Sequence, residues 1–426
     1  DMIENAKRGR DISPMNWATN SNLVRAYMTS GQGTNAMQAI DQYLRRGGSD
    51  PRSRSAMSQI ARSERKPGLA IPPMEVAMKA NPMDPEWPRD IALLLLMAGD
   101  TKGAAEMWWN VIELDKSPEA IEAFIDLEFR QDKPNIDRLN ELFQLAPVVI
   151  ESRPVLKAAR ALTLSMQPRQ ARQAQRQMSE AYFDATAAVD AGDPSIIIDR
   201  VLAYFFRMNI DATTLKELAE RLQVLIGGPL GAHEYAGLAA VAFDRTMLGG
   251  SDLAAGADYL GRAIAAVKSD TTYKKALMQQ LSTVLYSSER CGEAIEVLTE
   301  LIAMGDEQPS TLNNLAYMVI ECENNPEKAL GYSTRAIRNN RNVASYLDTH
   351  GYILFKVGDL EEAFRNLNRS VILQSSSSNL LNLAEVLEAM GDKGESMATL
   401  QRLEREFPQM SPAKQTRAKA LISRLK

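Results

Sequence analysis

The stretch ASYLDTHGYILFKVGDLEEAFRNLNRSVIL, residues 344–373, decides the fold class of this chain. Its small and apolar residues recur three to five positions apart, in the order Leu347, Gly351, Leu354, Gly358, Ala363, Leu367 and Ser370. This spacing places them on one face of each of two short helices, with the segment Lys356-Val357-Gly358-Asp359 as the turn between them. The stretch therefore predicts a helix–turn–helix unit.

The same pattern recurs along the whole sequence, which predicts a repeat array. With the small residue at Gly351 as reference, eleven repeats align at Val24, Ser58, Ala92, Asp126, Arg160, Ala203, Ala239, Ser282, Ala316, Gly351 and Ala384. The intervals are 33 to 36 residues long except for two of 43 residues in the middle. The first long interval predicts a lengthened turn or an extended second helix around residues 167–170, and the second predicts a loop at residues 248–251.

The quality of the pattern divides the chain into four segments. We expect N-terminal repeats over residues 1–152, irregular middle repeats with longer turns or helices over 153–274, and C-terminal repeats over 275–410. Residues 411–426 keep apolar residues in phase at Ala418 and Leu421 but are otherwise rich in Lys and Arg. Such a segment is expected to form a capping helix that covers the last exposed core face.

Composition agrees with an all-α, soluble chain, since 45% of residues are hydrophobic, 24% are charged and only 6% are aromatic. The net charge is −5, yet residues 1–66 carry eleven Lys or Arg against six Asp or Glu. The longest apolar stretch, residues 91–98, is too short to cross a bilayer, so we expect no membrane insertion. Because the sequence starts at Asp1, the choice between cytoplasm and periplasm depends on upstream residues.

The repeat resembles that of the tetratricopeptide family, with particular likeness to bacterial members at Asn314-Leu315-Ala316-Tyr317 and at residues 325–330. The resemblance rests on a small residue at position 8, on Pro82 and Pro408 at position 32, and on alanine at position 20. These alanines are Ala36, Ala70, Ala104, Ala294 and Ala363. The resemblance implies a right-handed α-solenoid of about eleven helix pairs, whose first helices line a concave groove that binds peptides or partner domains.

The groove-facing positions of the family select candidate binding residues at both ends of the chain. They are Arg25, Arg62, Arg89, Gln279, Asn313, Tyr317, Asp348, Tyr352 and Lys356. The N-terminal set is basic, whereas the C-terminal set combines ring faces and amides that suit an extended or helical peptide. We expect the region of Tyr317 and Tyr352 to be the most important. The carboxylate clamp of chaperone-binding members is matched at only one of its five positions, by Asn314, so such a clamp is not expected.

Residues for catalysis or metal binding are sparse. The only histidines, His233 and His350, are far apart in register, and His350 occupies a packing position. The sequence lacks nucleotide-binding, esterase and metalloprotease motifs, so no cofactor or metal is expected. Cys291 and Cys322 lie near the turns of adjacent repeats, where a disulfide is conceivable, although reduced thiols are the default expectation.

The sequence thus favours a non-catalytic protein–protein interaction scaffold whose groove binds a peptide or a partner domain. Two alternatives stay open at this point. In the first alternative, the chain is the substrate-recruiting or regulatory arm of a larger enzyme. In the second, it is an assembly factor of an envelope or export system. Nucleic acid is not expected as a partner, because the overall balance is acidic and no aromatic-studded basic stripe is present. The oligomeric state is not determined by the sequence.

Overall fold

The structure is a computed structural model that describes residues 2–64, 66–244, 252–338, 340 and 342–425. The loop predicted at residues 248–251 lies outside these residues. Within them, all regular structure is helical, with twenty-five α-helices, one 3₁₀ turn and one π-helical turn. The chain divides into two compact units, Asp1–Met208 and Asn209–Lys426. The predicted all-α repeat architecture is confirmed.

The first unit contains a leading helix, α1, followed by helix pairs that correspond to the predicted repeats. Its helices are α1 (Met2–Ile12), α2 (Trp17–Thr29), α3 (Gly33–Arg45), α4 (Arg52–Ser63), α5 (Ile71–Ala80), α6 (Glu86–Met97), α7 (Thr101–Asp115), α8 (Pro118–Phe129), α9 (Ile136–Leu145), α10 (Pro147–Glu151), α11 (Pro154–Ser165), α12 (Ala171–Asp190) and α13 (Ile196–Met208). Pair one is α2 with α3, and pair five is α11 with α12. The leading helix α1 and the short α10 were not predicted.

The second unit completes the series of pairs and ends in a single helix. Its helices are α14 (Leu215–Ile226), α15 (Ala232–Phe243), α16 (Leu253–Ala266), α17 (Thr271–Ser287), α18 (Cys291–Ala303), α19 (Pro309–Met318), α20 (Pro326–Ile337), α21 (Ala344–Val357), α22 (Leu360–Leu373), α23 (Ser377–Ala389), α24 (Lys393–Glu406) and α25 (Pro412–Leu425). Pairs seven to eleven run from α15 to α24. The last helix, α25, contacts α23 and α24, where the capping helix was expected.

Alanine at the predicted contact position explains why two helices can approach closely within a pair. Ala36, Ala70, Ala104, Ala294 and Ala363 all have 0% exposed surface. A larger side chain at these places would separate the helices, because protein interiors have no spare volume. The helix pairs therefore follow directly from the small residues of the repeat.

A Gly-Asp turn joins the two helices in three of the pairs. Gly99, Gly358 and Gly391 adopt positive φ angles of 82°, 96° and 86°, a conformation that favours glycine. The following aspartates, at positions 100, 359 and 392, accept a hydrogen bond from a backbone N–H in the first turn of the next helix. One dipeptide thus ends the first helix and caps the second.

The middle of the chain departs from the extrapolated register. Asp126 and Ala203, assigned to the packed position, are exposed, and Arg160 is only half-buried. The preceding residues Ala159 and Leu202 are buried instead, which shifts the register by one residue. At Asp126 and Arg160, a charged side chain at a helix crossing would lose its hydration, so the packed position moves to a neighbour. The first long interval is accommodated by α12, which has 20 residues against 13 in α3.

Candidate functional site

The first helices of the later pairs lie side by side in the second unit. Helix α19 contacts α21, α21 contacts α23, and α23 contacts the capping helix α25. We call the surface formed by α17, α19, α21, α23 and α25 the first-helix face. Because each of these helices begins a successive repeat, equivalent positions of the sequence come to lie in adjacent rows. Six of the predicted site residues lie on these helices, namely Gln279, Asn313, Tyr317, Asp348, Tyr352 and Lys356.

Tyr286 of α17 and Tyr317 of α19 form an aromatic pair on the first-helix face. Their ring centroids are 5.9 Å apart in an edge-on arrangement, a geometry preferred by aromatic pairs. Burial raises the pKa of Tyr317. Tyr317 nevertheless keeps 39% of its surface exposed. The Tyr317 ring is therefore held by Tyr286, while part of its surface stays accessible to a ligand.

Tyr352 of α21 is held from several directions. The Lys356 ammonium lies 5.0 Å and the Arg417 guanidinium 5.4 Å from its ring centroid. Burial, followed by the negative charge of Glu321, raises the pKa of Tyr352 to about 12. Only 9% of Tyr352 is exposed. Its ring is thus a rigid support for the two cations, not a free stacking surface.

A hydrogen-bonded chain extends from Arg417 into the helix layer. Arg417 donates to both carboxylate oxygens of Glu385, at 2.7 and 3.1 Å, and to the Asn382 amide oxygen at 3.1 Å. The Asn382 amide nitrogen in turn donates to Asp348 over 2.9 Å. Burial raises the pKa of Asp348 to about 6, while the Asn382 bond and the charges of Lys414 and Arg417 oppose the rise. A polar row thus joins α21, α23 and α25.

Two further polar residues of the prediction lie in the helix layer beside this row. Gln279 donates to the Thr311 hydroxyl at 3.0 Å and to Asp306 at 3.4 Å. Asn313 is buried with 8% of its surface exposed. Gln279 therefore links α17 to α19 and to the turn before it, whereas Oδ1 of Asn313 is buried without a hydrogen-bond partner among the described residues.

The cysteines form a disulfide, contrary to the expectation of reduced thiols. Cys291 is the first residue of α18, and Cys322 lies in the π-helical turn Val319–Glu323 that follows α19. Their Cα atoms are 6.0 Å apart, because the turns of adjacent pairs meet although 31 residues separate the two cysteines in sequence. The bond ties the segment that carries Glu321 to the preceding pair.

Of the predicted basic residues of the first unit, two are exposed and one is ion-paired. Arg25 and Arg62 are exposed on α2 and α4. Arg89 of α6 is paired with Glu86 and, at 3.2 Å, with Asp115. The positive charge expected at this end is therefore partly compensated, since Arg89 has carboxylate partners.

Sequence reasoning missed Glu321, Glu385 and Arg417 as parts of the site. Glu321 lies in the π-helical turn, outside the regular repeat positions. Arg417 belongs to the capping helix, which the groove-position rule does not cover. The sequence signal that could have indicated Arg417 was the basic character of residues 411–426, since the neighbouring first helix carries Glu385 and Glu388.

The comparisons with known proteins concern fold. Neither a model of a protein family nor a curated protein sequence matches this chain. A thermophilic TPR protein of Thermus thermophilus is similar at 15% identity and TM-score 0.36, covering 45% of this chain and 99% of that one. PilF of Pseudomonas aeruginosa is similar at 17% identity and TM-score 0.40, with coverages of 59% and 99%. Yeast Tom70 is similar at 14% identity and TM-score 0.32, with coverages of 100% and 97%. These values are too low for an inference about function.

Proposed function

We propose that this chain of tetratricopeptide-type helix pairs is a non-catalytic interaction scaffold, and that its first-helix face binds an extended peptide segment of a partner protein. The observations that carry the proposal are the Tyr286–Tyr317 ring pair and the contacts of Arg417 with Tyr352 and Glu385. The ring pair joins α17 to α19, and the Arg417 contacts join α21, α23 and α25.

The chemistry of the face suits a peptide. Tyr317 offers an open ring edge for an apolar side chain, while its position is fixed by Tyr286. Lys356 is exposed and can donate to a peptide carbonyl or carboxylate. Because the rings and cations are already held by one another, little side-chain entropy is lost when a peptide binds.

A displayed library of random-sequence peptides, selected on the purified chain, tests this function. We expect selected peptides to bind at least about tenfold more weakly to Tyr317→Ala, because central aromatic anchors dominate such interfaces. Ile372→Ala is the control, since Ile372 is 75% exposed on the second helix α22 of the same unit. Equal affinity of the selected peptides for wild type and Tyr317→Ala, with both folded by circular dichroism, would contradict the proposal.

The Cys291–Cys322 disulfide supports a second proposal, that the chain is an envelope or export-system assembly factor. Disulfides form and persist in oxidising compartments and are rare in the cytosol. Trapping of free thiols in intact cells with a mass-adding maleimide measures the redox state directly. We expect no modification without prior reduction, whereas two modified thiols in untreated cells would exclude this second proposal. The proposal that the chain is an arm of a larger enzyme has no comparable support.

A further inference from the structure

A cavity lies among α20, α21 and α22, lined by residues other than the tyrosines of the first-helix face. Its volume is about 610 Å³. Cavities of this size are typical of sites that enclose a small organic molecule. The residues that give it a chemical character are Arg338, Arg365, Arg369, His350 and Glu362.

The cavity lining carries three guanidinium groups against one carboxylate. Arg365 is paired with Glu362 of the same helix. Arg369 donates to the amide oxygen of Asn342, which is uncharged. The Arg338 side chain has no hydrogen bond or ion pair within the described part of the chain. Two positive charges therefore face the cavity without an anionic partner, which favours a negatively charged ligand.

His350 adds a buried polar group to the same cavity. It has only 7% of its surface exposed, and its Nδ1 lies 2.9 Å from the Ser333 hydroxyl oxygen. The Ser333 hydroxyl donates to the Leu330 carbonyl at 3.2 Å. The contact with Ser333 occupies Nδ1, and burial lowers the pKa of His350 and so favours the neutral ring. Nε2 has no partner among the described residues, so it is the ring nitrogen available to hydrogen-bond a ligand.

We propose that this cavity binds the phosphate group of a small phosphorylated organic molecule. Guanidinium groups match the oxygen geometry of phosphate through paired N–H donors, and Arg338 and Arg369 approach the cavity from two different helices. The volume leaves space for an organic portion beside the phosphate. The proposal does not depend on peptide binding at the first-helix face.

Calorimetric titration of the full chain with ribose 5-phosphate, inorganic phosphate and citrate tests the site. We expect saturable binding of ribose 5-phosphate that is tighter than that of either other anion. Arg338→Gln and Arg369→Gln should each weaken this binding at least about tenfold, as expected for loss of one charge-assisted contact. Arg402→Gln is the matched control, because Arg402 lies on the second helix α24 of the next pair and is bonded to Glu406.

Three results would overturn the assignment. The first is the absence of saturable binding, and the second is unchanged binding in the Arg338→Gln/Arg369→Gln double variant. The third is binding of inorganic phosphate or citrate as tight as that of ribose 5-phosphate. Both arginines are exposed, so folding of the variants can be verified independently by circular dichroism.

Discussion

Asp348 is a carboxyl group kept within the helix layer at a cost in stability. Its pKa rises from an ordinary value of 3.8 to about 6, chiefly because burial disfavours the charged form. Between about pH 4 and pH 6 the folded chain binds this proton more tightly than the unfolded chain does. The contribution of Asp348 to folding stability therefore falls as pH rises through this window, by roughly 3 kcal/mol at most.

Asp348→Asn should remove this pH dependence, because asparagine is neutral and can still accept the hydrogen bond from Asn382. We expect the variant to melt at a higher temperature than wild type at pH 7.5, and at a similar temperature at pH 4.5. Thermal unfolding at a series of pH values measures the difference. Asp359→Asn, at an exposed N-cap that asparagine can also fill, is the control and should keep the wild-type profile. A parallel profile for Asp348→Asn and wild type would show that Asp348 is not the titrating group.

Gly351 permits the closest approach of two helices in pair ten. A Cβ atom added there would lie 2.7 Å from Leu367 Cγ and 3.2 Å from the Ala363 carbonyl oxygen. We expect Gly351→Ala to lower the free energy of unfolding by about 1–3 kcal/mol, since overpacking forces backbone shifts. Gly331→Ala is the matched control inside α20, where an added Cβ meets nothing within 4 Å. It should stabilise the chain by about 0.5–1 kcal/mol in urea unfolding. A gain in stability for both variants would contradict the packing argument.

At the scale of single elements, the π-helical turn Val319–Glu323 depends on the disulfide for its position. The bond closes a loop across 31 residues, and loss of such a crosslink costs roughly 3–4 kcal/mol in the chain-entropy description. Cys291→Ser/Cys322→Ser should therefore unfold at lower urea concentration than the oxidised protein. Dithiothreitol should destabilise the wild type to the same level and leave the double variant unchanged. An equal midpoint for oxidised and reduced wild type would show that the bond is not stabilising.

The capping helix α25 contributes to the site as well as covering the core. Arg417 binds Glu385 and Asn382 and lies over the Tyr352 ring, whereas Arg424 of the same helix binds only Glu388, in a more exposed position. We expect Arg417→Ala to cost about 2 kcal/mol of unfolding free energy, because it removes several contacts and leaves polar groups unpaired. Arg424→Ala should cost less than about 1 kcal/mol. Equal costs in chemical unfolding would mean that Arg417 is an ordinary surface ion pair.

At the scale of the whole molecule, the repeat could be predicted at positions where the contact between two helices requires a small residue. The alanines of position 20 are fully buried because two helices touch there, so their spacing alone indicates the pairs. The register was wrong at Asp126, where a regular interval places a charged residue at the packed position, and at Ala203, which follows the first long interval. The courses of α10 and α12 cannot be read from the local sequence pattern, because they depend on packing against neighbouring helices.

The candidate site was only partly accessible to sequence reasoning. Tyr317, Tyr352 and Lys356 were predicted because they occupy regular positions of the repeat. Glu321 and Arg417 were missed because they lie outside those positions, and because the partner of Arg417, Glu385, is 32 residues away. Contacts of this kind arise from stacking of successive pairs, which a single repeat does not encode. Binding at these residues remains a prediction.

Hydrogen–deuterium exchange with a library-selected peptide tests the central claim, that the first-helix face is the binding surface. Backbone amides of a helix exchange more slowly when a ligand stabilises that helix locally. The account predicts slower exchange in α19, α21 and α23, with little change in the second helices α20, α22 and α24, and loss of this protection in Tyr317→Ala. Protection confined to the second helices, or unchanged protection in Tyr317→Ala, would contradict it.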